Sequence, residues 1–260
     1  MTEISAAKRR EEIAQQAMEK GEVILVDLVN KYQITETSIR RDLTLLEEQG
    51  VLKRVRRGAV PYLRDKRNQI FSEKMNLNLF AKQRIGKFAA SMIKEGDIAI
   101  MDSGTTTIQI IRHLPYSLKQ VGSVTIMTNS LPIAQEFSGF NTANLILLGG
   151  IYIPEHQATV GPQTLQQLNE LTADYVFLGA DGISVEKGVT TAHILMAEVD
   201  RCMAERARKK VLVIDSSKFT HVGFVPVKPI NNFDLIITDN EAPEEIVSVI
   251  RAMGVEVVIV

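Results

Sequence analysis

The sequence predicts an α/β protein in two parts: a small helical module with a β-wing, then a larger domain built on a mainly parallel sheet. Three observations predict it. Apolar residues recur at helical spacing near the N-terminus, short apolar runs then alternate with amphipathic helical stretches, and a polar, weakly periodic segment at residues 61–78 divides the two patterns. A length of 260 residues suits one small and one medium domain. The expected boundaries are 1–60 for the module, 61–78 for the connection and 79–260 for the larger domain.

The first helix is expected at Ala6–Lys20, with Ile13 and Ala17 on one face and Gly21 as its stop. Over residues 24–32, Leu25, Leu28, Val29 and Tyr32 share a face and make a short second helix. Thr35 is placed to cap a third helix, with Glu36 in its first turn, that runs to about Gln49 before Gly50. Ile39, Leu43 and Leu46 form its buried stripe, so Thr37, Ser38, Arg40, Arg41 and Thr44 face outward. Small hydroxyls and arginines in a helix's first turns suit a DNA major groove, where they reach phosphates and guanine edges.

After that helix, Lys53, Arg54, Arg56 and Arg57 interleave with Val51, Leu52 and Val55, as a β-wing lying on a phosphate backbone requires. The formal charge of the chain is only −1, yet residues 51–67 hold seven Lys/Arg against one Asp/Glu. This local basic island, rather than the net charge, is the nucleic-acid signature. A module of this kind is a winged helix-turn-helix, and its contact candidates are Thr35, Glu36, Thr37, Ser38, Arg40, Arg41, Lys53, Arg54, Arg56 and Arg57. One such module reads few base pairs, so a homo-oligomer, dimer or tetramer, is expected on double-stranded operator DNA.

In the larger domain, strands are expected at Ile98–Met101 and at residues 124–127, 145–148, 175–178, 211–214, 235–237 and 255–259. Helices are expected at residues 81–94 and 106–113, at Leu131–Phe137, and at residues 162–171, 194–209 and 243–253. Apolar strands separated by crossover helices indicate a parallel sheet covered on both faces. Small and hydrogen-bonding residues follow the strands: Asp102-Ser103-Gly104, Thr128-Asn129-Ser130, Gly149-Gly150, Gly179-Ala180-Asp181-Gly182, Asp215-Ser216-Ser217-Lys218 and Thr238-Asp239. In open parallel sheets these ends border the ligand crevice, although short turns need the same residue types. In DSGTTT, Gly104 permits close approach and Thr105, Thr106 and Thr107 offer hydroxyls at a helix N-terminus, which suits a phosphate. The same threonines also serve as ordinary helix caps.

Other chemistry is poorly supplied. No GxxxxGK[ST], GxGxxG or GxSxG occurs, so ATP, NAD and a serine nucleophile are not expected, and no cofactor is. His113, His156, His193 and His221 show no metal-ligand pairing, and the lone Cys202 reads as packing. The N-terminal residues lack an apolar signal core and no long apolar run occurs, which reads as a cytoplasmic chain.

The stretch ITETSIRRDLTLLEEQGVLKRVRRGAV resembles the DNA-binding domain of the DeoR family of bacterial regulators. The wing departs from that family's usual His-Gly-Gly-Ala, reading Arg56-Arg57-Gly58-Ala59, which adds charge and removes a glycine. DSGTTT, MTNS, LLGG, LGADGI and DSSKF follow in the order of the family's sensor domain, so the resemblance spans residues 8–260. That sensor is similar to ribose-5-phosphate isomerases. The resemblance implies a repressor of a carbohydrate-utilisation operon whose operator binding is modulated by a phosphorylated sugar. It implies a phosphate loop at Ser103, Gly104, Thr105, Thr106 and Thr107, with Asp102, Asp181, Glu198 and Lys218 facing sugar hydroxyls. Thr128, Asn129, Ser130, Gly149, Gly150 and Gly182 complete the expected effector site. The alternative is an isomerase-like enzyme with Asp181 and Glu198 as acid/base carboxylates and Lys218 stabilising an enediolate. An attached DNA-reading module makes ligand-controlled binding the simpler account, with no catalytic residue.

Overall fold

The computed structural model describes residues 5–48, 51–61, 66–120, 123–137 and 144–260. Two compact units divide the chain, Met1–Lys66 and Arg67–Val260. Gln49 and Gly50, where the third helix was expected to end, and residues 62–65 of the expected connection lie outside the described residues.

The first unit contains α1 (Ala6–Lys20), β1 (Val23–Ile24), α2 (Leu25–Tyr32), α3 (Glu36–Glu48), β2 (Leu52–Val55) and β3 (Gly58–Pro61). Ser5 starts α1 by accepting from the Lys8 N–H at 3.3 Å, and Gly21 ends it in the left-handed region at φ 80°. Thr35 starts α3 in the same manner, its hydroxyl accepting from the Ser38 N–H at 3.3 Å. Ile13, Ala17, Leu28, Ile39, Leu43 and Leu46 are buried together as one core. Asp42 is buried too, and Arg9 and Arg10 of α1 bond its carboxylate at 2.7 and 3.2 Å. Two arginines of the first helix thus serve the fold rather than a ligand.

The wing hairpin turns through Arg56 and Arg57, neither of which has a positive φ, so the glycine absent from this turn is not needed there. Gly58 is needed, because a Cβ on it would lie 1.9 Å from the Val23 carbonyl oxygen where β1 joins the sheet in the order β1-β3-β2.

The second unit contains α4 (Lys66–Asn76), α5 (Leu79–Met92), β4 (Ile98–Met101), α6 (Thr107–His113), α7 (Tyr116–Gln120), β5 (Thr125–Thr128), α8 (Leu131–Phe137), β6 (Asn144–Leu147), β7 (Ile151–Ile153) and β8 (Ala158–Val160). It continues with α9 (Pro162–Asn169), β9 (Ala173–Leu178), β10 (Gly182–Ser184), β11 (Gly188–Thr191), α10 (Ile194–Glu205), β12 (Ala207–Val213), β13 (Val225–Lys228), β14 (Leu235–Thr238), α11 (Glu244–Ala252) and β15 (Glu256–Ile259). A short 3-10 turn, Ser216–Thr220, follows β12. Helix α4 occupies most of the segment expected to be a connection, which ends at Asn78, the N-cap of α5, and Phe71 is buried against the unit. Its charged, weakly periodic sequence hides a helix with few apolar anchors. The helix expected at residues 194–209 ends at Glu205, because the chain enters β12 at Ala207.

Seven strands form one parallel sheet in the order β15-β14-β12-β9-β4-β5-β6. Apolar clusters cover both faces, one including Ile100, Val176 and Leu212, the other Met101, Phe177 and Val211. Alternate residues of the same strands thus fill opposite layers, as strands with two buried faces demand. From β4 the chain lays β5 and β6 to one side, then returns to place β9 on the other. Strand order reverses between β4 and β9, and at such a switch point the loops leaving adjacent strands part to open a crevice.

Candidate functional site

In the first unit, Thr37, Arg40 and Arg41 on α3 and Lys53, Arg54, Arg56 and Arg57 on the wing are exposed, with Ser38 half-buried. Arg40, Arg54 and Arg56 border one groove between helix and wing. Arg40 pairs with Glu36 at 2.6 Å and Arg54 with Glu47 at 3.4 Å, both on the surface. Arg41, Lys53, Arg56 and Arg57 make no side-chain ion pair among the described residues. Their charge is therefore available to an external anion, whereas Arg40 must first leave Glu36.

In the second unit, a cavity of about 80 Å³ opens at the switch point. Its wall includes Asp102, Ser103, Gly104, Thr105 and Thr106 after β4, Gly179, Ala180 and Asp181 after β9, and Lys218 after β12. Phe71 and Lys74 of α4, Glu155 and His156 between β7 and β8, Thr191, and Met196 and Asp200 of α10 complete it. Asp102 ties the first two loops together. One carboxylate oxygen accepts from the Gly104 N–H at 2.7 Å and from the Thr107 hydroxyl, and the other from the Gly179 N–H at 2.6 Å. Burial raises the Asp102 carboxyl above its ordinary range, and the bonds from Thr107, Gly179 and Gly104 oppose that rise. Asp102 thus braces two loops with both oxygens engaged by the protein, while it also lines the cavity as expected from sequence.

Asp181 has a different environment. Burial pushes its carboxyl up, but the Lys74 ammonium at 2.8 Å, the Ala192 N–H and the Thr191 hydroxyl together draw it down to about 2. Lys74 is held in place from below, since its own carbonyl oxygen accepts from the buried Lys82 ammonium. Burial lowers the Lys82 pKa to about 8 despite the nearby Asp215 carboxylate. Burial likewise lowers His156.

The remaining expected residues do not line this cavity. The Thr107 hydroxyl turns inward to Asp102 and to the Gly104 carbonyl. Asn129 donates to the Thr159 carbonyl at 2.8 Å and Ser130 bridges to Ala158, so both brace the end of β5 against β8, while Thr128 accepts from the Ser130 N–H at 3.0 Å. Gly149 is bonded to Gln167 and Thr164 of α9, and Gly150 lies where a Cβ would meet the Thr164 hydroxyl at 2.2 Å. Gly182 packs against the 3-10 turn, with only 2.2 Å between an added Cβ and the His221 carbonyl oxygen. Glu198 is half-exposed and stands two residues from Met196, which turns it to another side of α10; Asp200, one turn after Met196, faces the cavity instead. Sequence did carry a signal for Asp200, a charge within the apolar stripe of Met196, Ala197, Val199 and Met203. Helix α6 is only seven residues long, so its dipole is a smaller source of positive potential than Lys74 and Lys218.

A winged helix-turn-helix followed in the same chain by a unit with a polar switch-point cavity defines a DNA-binding regulator with a sensor domain. The chain belongs to the DeoR family. The DeoR-like helix-turn-helix domain matches residues 9–62 and the DeoR C terminal sensor domain residues 77–240. A protein of Escherichia coli O157:H7 named as a transcriptional repressor of the aga operon is 32% identical over 256 residues, covering 98% of this chain and 94% of that one. The transcriptional repressor GlcR of Bacillus subtilis is 31% identical, covering 87% of this chain and 86% of that one. Among solved structures, ribose 5-phosphate isomerase A from Methanocaldococcus jannaschii aligns over 55% of each chain at 18% identity and a TM-score of 0.41. The full-length sorbitol operon regulator SorC from Klebsiella pneumoniae aligns over 95% of this chain and 99% of that one at 11% identity and a TM-score of 0.44. No helix among the described residues is long and apolar enough to cross a membrane.

Proposed function

We propose that this regulator represses a carbohydrate-utilisation operon in the cytoplasm as a homo-oligomer, and that a phosphorylated sugar in the switch-point cavity modulates its operator binding. The observation that carries the reading is the convergence of an anion cradle with carboxylates suited to hydroxyls. Lys74, Lys218 and the loop from Ser103 to Thr106 border the same cavity as Asp181 and Asp200. The N–H groups of Ser103, Thr105 and Thr106 have no acceptor among the described residues. Relatives named as transcriptional repressors support the repressor part of the reading.

Recognition rather than turnover is the role assigned to the cavity. Glu198, the second of the expected acid/base pair, lies off the wall, so the pair that the isomerase reading requires is not assembled there. Asp181 is held ionised by Lys74 and is poorly placed to protonate anything near neutral pH.

At about 80 Å³ the cavity is smaller than the roughly 300 Å³ or more of pockets that enclose small ligands. Entry must therefore displace part of the wall, and the Lys74–Asp181 ion pair is a partly exposed polar contact within it. A phosphate that draws Lys74 away from Asp181 acts on α4, the first helix after the wing in sequence. A tenfold preference for the low-affinity DNA state corresponds to about 1.4 kcal/mol of coupling.

Melting the protein with a panel of sugar phosphates tests the reading, because a ligand selective for the folded state raises the melting temperature. Mobility shifts with operator DNA then give the sign of the response. If no sugar phosphate moves either measurement, the cavity is not an effector site of this class.

A further inference from the structure

We propose that the Asp200 carboxyl is the specificity-determining acceptor of the effector cavity, receiving a hydroxyl or ammonium donor on the sugar of a phosphorylated ligand. This rests on the sugar-phosphate reading above and adds the residue that discriminates among such ligands.

Asp200 is 6% exposed and lines the cavity from α10 beside Met196. Its Oδ1 is sealed from solvent without a hydrogen-bond partner, and the side chain makes no hydrogen bond or ion pair among the described residues. Buried polar groups are almost always satisfied, and an exception at a cavity wall indicates a partner supplied from outside. The neighbouring carboxylates already have their donors within the protein. Asp102 holds Gly104, Gly179 and Thr107, and Asp181 holds Lys74, Thr191 and Ala192. Neither offers a proton to Asp200, and each places negative charge near it. Burial, with the charges of Asp102 and Asp181, pushes the Asp200 carboxyl well above its ordinary range, against the pull of Arg201. An incoming hydroxyl meets an accepting oxygen in either protonation state, and an ammonium would also neutralise the carboxylate cluster. The phosphate of the same ligand is left to the loop at Ser103 and to Lys74 and Lys218, which belong to other elements of the wall.

The test uses the full-length protein with inorganic phosphate and with hexose and pentose phosphates, each paired with mono-deoxy and amino analogues. Titration calorimetry compares the wild type with Asp200→Asn and Asp200→Leu. In the wild type, one deoxy substitution is expected to weaken binding at least about tenfold, because a site built to bond a polar group rejects the analogue lacking it. In both variants that penalty shrinks to about twofold or less, while inorganic phosphate binds at least as tightly as to the wild type. An amino analogue favoured by the wild type alone identifies the donor as an ammonium; equal loss at a hydroxyl position identifies a hydroxyl. Without ligand, Asp200→Leu is expected to melt above the wild type, since an unpaired buried carboxyl is removed. The same deoxy penalty in wild type and variants, or melting temperatures that fall in both variants, overturns the assignment while phosphate binding keeps the wider reading. If the wild type binds neither inorganic phosphate nor any member of the panel, both readings fail together.

Discussion

Asp102 and Asp181 show how two aspartates a short distance apart in one cavity come to opposite duties. Asp102 bonds two backbone N–H groups and a hydroxyl, so truncating it leaves buried donors unpaired in two loops at once. Asp102→Ala is expected to destabilise the sensor unit by about 2–4 kcal/mol, read as a lower urea midpoint. An unchanged midpoint would mean that the loops do not depend on this brace. Asp181 is drawn down to about 2 in the folded state from an ordinary carboxylate value. A depressed folded pKa contributes stability above the unfolded pKa, near 4, and loses it as pH falls towards 2. Asp181→Asn should therefore melt below the wild type at pH 6, with the gap closing as pH is lowered from about 4 to 2. A gap that stays constant over that range would remove the Lys74 pair as its cause.

Helix α3 and the wing are proposed to divide the work of reading DNA between groups of different chemistry. Arg41 is exposed and unpaired on the helix, whereas Arg57 stands at the tip of the hairpin. Arg41→Ala is expected to reduce the ratio of operator to unrelated-DNA affinity, by about 1–3 kcal/mol if it reaches a guanine edge. Arg57→Ala should weaken both affinities together and lower the salt slope by about one. Mobility shifts at several salt concentrations separate the two, and identical behaviour of the variants would mean that helix and wing are not divided in this way. Asp42 belongs to the fold instead: with Arg9 and Arg10 on its carboxylate, Asp42→Ala should cost the module about 2–3 kcal/mol. Its loss of DNA binding should then follow loss of helix by circular dichroism.

For the molecule as a whole, sensing and DNA reading reside in different units, so a variant of one should spare the stability of the other. Thr105 lines the cavity without bracing it. Thr105→Val and Lys218→Met are expected to reduce the effector's influence on operator binding about tenfold or more, with the circular dichroism spectrum unchanged. Loss of operator binding with an intact effector response would reverse the proposed division. Assembly is expected to lie in the sensor unit, and because α4 belongs to that unit, the fragment to test begins at Arg67. Light scattering of residues 67–260 should give at least a dimer, and a monomer at micromolar concentration would place assembly elsewhere.

By itself the sequence determined the winged module, the parallel sheet and the phosphate-suited loop, because each is written in local chemistry. Helical spacing marks Ile39, Leu43 and Leu46, and continuous apolar runs mark all seven strands of the large sheet to within a few residues. The short antiparallel pairs, β7 with β8 and β10 with β11 and β13, were not legible, since their strands are short and lean on distant neighbours for partners. Helix α4 was hidden for a related reason: Phe71 and Lys74 acquire their roles only when packed at the cavity wall. Only the tertiary structure decided which polar residues after the strands line the cavity. Thr128, Asn129, Gly149 and Gly182 have the same composition as a binding loop, yet their hydrogen bonds and close contacts close inward on neighbouring elements. The exchange of Glu198 for Asp200 has the same origin, for a residue type announces that it can bind, while the direction of a helix face and the reversal of strand order at β4 and β9 fix what it can reach.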